Sequence, residues 1–109
     1  MKDSSYIRGR GLFKIAVIGL SSGTQDIRKR LSAVDKELFL LKDRELPPSV
    51  RLKYSELNNL VRRLPSKGHE GAINATLARS KFNSLTKIAE LIVEIAFEYA
   101  VPNGRSDIA

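Results

Sequence analysis

Thr86–Val101, TKIAELIVEIAFEYAV, is the stretch that decides the fold. Wound as a helix at about 100° per residue, it divides into three sectors. Ile88, Leu91, Ile92, Ile95 and Tyr99 make a broad face of large side chains. Ala89, Val93, Ala96 and Ala100 make an adjoining face of mostly small ones. Lys87, Glu90, Glu94 and Glu98 share a narrow polar stripe, interrupted by Phe97. A surface helix has one apolar stripe and a wide polar face. Here those proportions are reversed, so other helices must cover most of this one. The small face admits a close neighbour, and the large face fills the space towards another. The five large residues are the expected helix-interface set. Two amphipathic arms do not plainly cover them, so a homodimer is expected.

Working outward, Ala72–Leu85 also reads as helix, through Ile73, Leu77, Ala78 and Phe82. Joined to the decisive stretch it makes about 30 residues, roughly 45 Å. That exceeds either preceding segment, so either a break falls near Arg79-Ser80 or one end projects. Pro102-Asn103-Gly104 stops the helix, and residues 102–109 read as a loose tail. Upstream, Ser66–Gly71 (SKGHEG) is a loop by composition.

Two apolar seams precede that loop. Ile27, Leu31, Val34, Leu38 and Leu41 step alternately by four and three, predicting a helix from about 24 to 46 capped by Ser22 or Thr24. Pro47-Pro48 ends it and opens the next helix. There Val50, Tyr54, Leu57, Val61 and Leu64 repeat the pattern until Pro65. Two matched seams across a proline turn predict an antiparallel helical hairpin. The fold class is therefore all-α: an up-and-down bundle of three to four helices over residues 12–101, with a long, largely buried C-terminal helix.

The N-terminus divides at Gly11. Residues 1–11, with Lys2, Arg8, Arg10 and two glycines, read as a mobile basic arm. Leu12–Ile18 is too short for periodicity to choose between helix and strand. Followed by Gly19-Leu20-Ser21-Ser22-Gly23-Thr24 it imitates a phosphate loop, but the spacing fits neither common motif and no partner strand exists downstream. Leu12–Leu20 also has the size of a signal-peptide core. Lys14 inside it and a poor cleavage pattern argue against that role.

Composition narrows the function classes. The 109 residues suit one domain without staples, and the absence of cysteine excludes disulfides and thiolate metal sites. It also fits a reducing, cytoplasmic compartment. The net charge of +7 and pI near 10.0 favour anionic partners. Residues 1–24 carry net +3 (four bases, one acid) and residues 47–68 net +4 (five bases, one acid), while residues 69–109 carry net −1 (four bases, five acids). Candidate anion- or nucleic-acid-binding residues follow from that distribution. They are Arg8 and Arg10 on the arm, Arg28 and Lys29 at a helix start, and Arg51, Arg62, Arg63 and Lys67 on and beyond the third segment.

Catalytic and metal-binding residues are not apparent, and no cofactor is implied. His69 is the only histidine and has no partner at a helical spacing. Glu90, Glu94 and Glu98 lack the Glu-x-x-His partners of a carboxylate metal site, so a solvated edge or ion pairs to the hairpin is expected. The sequence thus points to a small non-enzymatic binding or regulatory module that recognises a protein through helical faces. The alternative is a nucleic-acid-binding accessory protein using the arm and the Arg51/Arg62 face. An enzyme with an unrecognised site and a membrane-surface role for Leu12–Leu20 rank below both.

Overall fold

A computed structural model describes residues 6–22, 26–64 and 71–100. The elements are α1 (Ile7–Ser22), α2 (Ile27–Ser32), two 3₁₀ turns (Lys36–Leu40 and Asp43–Glu45), α3 (Pro48–Val61), α4 (Gly71–Arg79) and α5 (Phe82–Ala100). No strand occurs among the described residues, and the chain is an all-α bundle. α5 is its axis, with α1 packed along one side and α3 along another. Ile88, Leu91, Ile92, Ile95 and Tyr99 are all buried in the common core. Ala89 and Ala96 are partly buried against it.

Four boundaries differ from the sequence expectation. The first helix begins at Ile7, inside the expected arm. Gly9 is what permits this: a Cβ there would overlap the Tyr99 hydroxyl, 2.7 Å from Cζ and 3.2 Å from Glu45 O. Only glycine lets α1 come this close to the end of α5. The second helix stops at Ser32, well short of 46. Asp35 accepts a hydrogen bond from Glu37 N (2.9 Å), and such a local bond competes with the helical ladder. The expected cap moves to Asp26, which accepts from Lys29 N at 3.0 Å, because Ser22 already belongs to α1 and donates to Ile18 O. α3 ends at Val61 rather than at Pro65. Leu64 instead bonds through both its N–H and its carbonyl to Thr76 Oγ1. Of the two alternatives for residues 72–101 the break is the one found, at Ser80-Lys81, and α5 is the long C-terminal helix. The loop over 66–70 and the tail over 102–109 lie outside the described residues.

The interrupted second segment still buries its seam: Leu31, Val34, Leu38 and Leu41 all reach the core. Side chains replace the missing backbone ladder. The Tyr54 hydroxyl donates to Leu38 O at 2.7 Å and accepts from Leu41 N at 2.9 Å. The Tyr99 hydroxyl donates to Glu45 O at 2.6 Å. Phe13 lies between the two rings, stacked on Tyr99 (centroids 5.6 Å apart) and edge-on to Tyr54 (6.3 Å). This node joins α1, α3, α5 and both 3₁₀ turns. Burial holds both phenols above the ordinary tyrosine range.

The glycines of α1 provide a direct check. Gly9→Ala should lower stability by about 1–3 kcal/mol through overlap with Tyr99. Gly11→Ala and Gly19→Ala meet nothing within 4 Å. Each should raise stability by up to about 1 kcal/mol through helix propensity. Urea midpoints that move in the same direction at Gly9 and Gly11 would contradict this packing.

Candidate protein-binding surface

Most of the basic residues expected to meet phosphate make hydrogen bonds within the chain, while Arg8, Arg51, Arg62 and Arg63 stay exposed. Arg28, on α2, donates to Leu77 O (2.7 Å), Ala78 O (2.9 Å) and Ser80 O (2.9 Å), the carbonyls left open where α4 ends. A guanidinium there satisfies orphan acceptors and opposes the negative end of the helix dipole. Arg63 donates to Ser80 Oγ at the same break (3.0 Å). Arg51 donates to Leu46 O and Asp43 O, each at 3.2 Å, and Arg62 to Phe39 O at 3.1 Å and to Asn58 Oδ1. Arg51 and Arg62 therefore hold the irregular segment onto α3 while both remain exposed.

Arg8 is drawn from the expected arm into an ion-pair cluster. It donates to both carboxylate oxygens of Glu45 (3.0 and 3.1 Å) and to Glu37 (2.6 Å). Arg10 and Lys29 are exposed, with no carboxylate partner among the described residues, and Lys67 and His69 lie outside them. Of the candidate cations, the structure brings Arg28 and Arg63 together at Ser80, where both donate to the chain itself. Sequence could not assign these arginines, because their acceptors are backbone carbonyls up to 52 residues away.

Glu45 is held below the ordinary glutamate range, first by the hydrogen bond from Lys42 N (3.0 Å) and then by Arg8. A depressed folded-state value stabilises the fold at pH above the ordinary 4.5. That contribution is lost as pH falls from there through the depressed value. Glu45→Gln should therefore flatten the acid limb of stability below about pH 5. Midpoints of thermal unfolding between pH 6 and 3 read this directly; an unchanged acid limb would contradict it.

Gly19–Ser22 of the imitation phosphate loop continue α1, and Gly23 and Thr24 lie outside the described residues. Leu12–Ile18 is helical, and the Ser21 and Ser22 hydroxyls donate back to Val17 O (2.9 Å) and Ile18 O (2.5 Å). Among the described residues, no group of three His, Cys, Asp or Glu side chains could hold a metal ion. None of the helices is long and apolar enough to cross a membrane.

The anticipated interface residues Ile88, Leu91, Ile92, Ile95 and Tyr99 are covered by their own chain, and α1 supplies the cover that the sequence lacked. That removes the reason for expecting a homodimer through this face. The surface left uncovered is on the opposite side of α5. Val93 is 46% exposed and Phe97 68% exposed there, one turn apart.

Beside them runs an open groove of about 560 Å³ between the end of α1, the start of α2 and the middle of α5. Leu20, Ile27, Ala89 and Val93 give it apolar walls. Glu90 and Glu94 stand on the α5 side, and Arg30 stands on the α2 side. Arg30 is fixed by donating to Leu20 O at 2.6 Å. Its Nε and the Thr86 Oγ1, both on the groove wall, are buried without a hydrogen-bond partner in the chain. Glu98, one turn beyond Glu94, pairs with Lys53 of α3 (3.7 Å), whereas Glu90 and Glu94 form no ion pair.

The sequence named Val93 and the glutamates but read them as a packing face and as a solvated edge or ion pairs to the hairpin, the pairing that Glu98 makes with Lys53. The signal available was Ala89, Val93 and Phe97 recurring at helical spacing beside the larger face. No protein-family model, curated protein or solved structure matches the chain.

Proposed function

We propose that the protein is a non-enzymatic binding module that recognises a protein partner through the groove and the exposed face of α5. The observation that carries this reading is the apolar run Ala89, Val93 and Phe97 beside an open groove. Large apolar side chains exposed together on one face, flanked by polar groups, characterise interaction sites. A helix recognised by such a groove inserts anchors at i, i+3, i+4 and i+7 of its own sequence. Engagement of Arg28, Arg51, Arg62 and Arg63 within the fold weakens the nucleic-acid alternative.

Affinity capture with the full chain and with Phe97→Glu, compared quantitatively, tests the reading. Phe97 is exposed, so the variant should fold as the parent does. At least one protein should be retained by the parent and lost by the variant. Identical retention by both, or recovery of nucleic acid alone, would overturn the assignment of this face.

A further inference from the structure

We infer that the occupant of the groove is an amphipathic helix whose apolar stripe is flanked by basic residues. This rests on the reading of the groove as a protein-binding face and adds the chemistry of the partner. Three features converge on it.

The first is shape. Ala89 and Val93 line the α5 wall of the groove with Phe97 one turn beyond it, at steps of four, and Leu20 and Ile27 form the facing wall. A helix lying along α5 would place its own apolar side chains between these, as knobs between neighbouring residues.

The second is charge. Glu90 and Glu94 stand one turn apart, about 5–6 Å along the axis. Both are exposed and neither forms an ion pair among the described residues. Lysines or arginines three or four positions apart on the incoming helix would meet them in succession. The neighbouring acids on α5 and α3, Glu98 and Glu56, are already paired with Lys53 and Lys87. Along α5 the acidic rim is therefore left without a cationic partner among the described residues.

The third is polarity across the groove. Arg30, on the opposite wall, is locked by its bond to the neutral Leu20 O and keeps its positive charge on that side. The rim thus attracts cations along α5 alone and fixes which flank of the incoming helix must be basic.

The whole molecule carries net charge +7, so long-range attraction favours an acidic ligand. The inference makes the opposite demand, which separates local recognition from general electrostatics. Fluorescence polarisation with two synthetic helical peptides tests it. Both have the same leucine stripe, one flanked by lysines and the other by glutamates. The full chain should bind the lysine-flanked peptide about tenfold more tightly or better, a difference of about 1.4 kcal/mol. Glu90→Lys with Glu94→Lys should reverse that order. Because both positions are exposed and unpaired, the circular dichroism of the variant should match the parent. Phe97→Ala should weaken the lysine-flanked peptide severalfold without changing the order.

Preference of the parent chain for the glutamate-flanked peptide, equal binding of both, or no binding of either would overturn the basic-helix occupant. So would a parent chain that dimerises and becomes monomeric on the charge reversal, because the groove would then be filled by a second copy. In each of these cases the broader reading is judged separately, by the Phe97→Glu capture experiment.

Discussion

Phe13→Ala is expected to cost about 3–5 kcal/mol, the range for deleting a fully buried aromatic ring. Phe13 has no solvent exposure and touches both Tyr54 and Tyr99. Its loss removes the packing of α1 on α5 and loosens the two phenols whose hydroxyls hold the 3₁₀ turns. Small domains have a total stability of only about 5–15 kcal/mol. The variant should therefore unfold at a much lower denaturant midpoint or be largely unfolded at 37 °C. Phe13→Leu keeps most of the volume and should cost clearly less. Guanidinium titrations followed by circular dichroism give both numbers. A loss below about 1 kcal/mol in the alanine variant would mean that the node is not the centre of the core.

Arg28→Met is the second large effect expected, at about 2–3 kcal/mol. The guanidinium makes three charge-assisted bonds to the carbonyls of Leu77, Ala78 and Ser80. Methionine keeps much of the stem and cannot replace any of those bonds. Ser80 is buried at 2% exposure, so its carbonyl is poorly placed to recover hydration. Arg28→Lys should recover only part of the loss, because an ammonium lacks the planar fork that spans several acceptors. Hydrogen exchange should quicken at the junction of α4 and α5 more than at α3. Uniform acceleration across the bundle, or none, would show that Arg28 does not secure the break.

These two residues also show what the sequence could reveal. The buried seams were legible, because burial of Leu31, Val34, Leu38, Leu41, Val50, Leu57 and Val61 follows the helical period. The break after Arg79 was legible as a mismatch of lengths. Where the backbone departs from the ideal helix, the cause is a side chain acting at long range. The Tyr54 hydroxyl replaces ladder bonds at Leu38 and Leu41, and Asp35 turns the chain after a single short helix. Periodicity records which residues face the core. It does not record which backbone groups a distant hydroxyl or guanidinium will satisfy.

The candidate site was less legible for the same reason. A cluster of arginines in the sequence has one appearance whether it faces phosphate or its own carbonyls. Arg51 and Arg62 do share a side of α3, as the helical wheel required, yet both fold back onto the preceding segment. The exposed side of α5 could not be separated from its buried side until the position of α1 was known. α1 in turn depends on the close contact at Gly9, and a glycine flanked by arginines reads in sequence as a loop.

The most direct test of the account is a ¹⁵N–¹H chemical-shift titration of the full chain with the lysine-flanked helical peptide. Perturbed amides should cluster over residues 27–30 and 86–97, around the groove, with little change near Arg51 and Arg62. Perturbations centred on α3, spread evenly over the surface, or absent at peptide excess would contradict a helix-binding groove on α5.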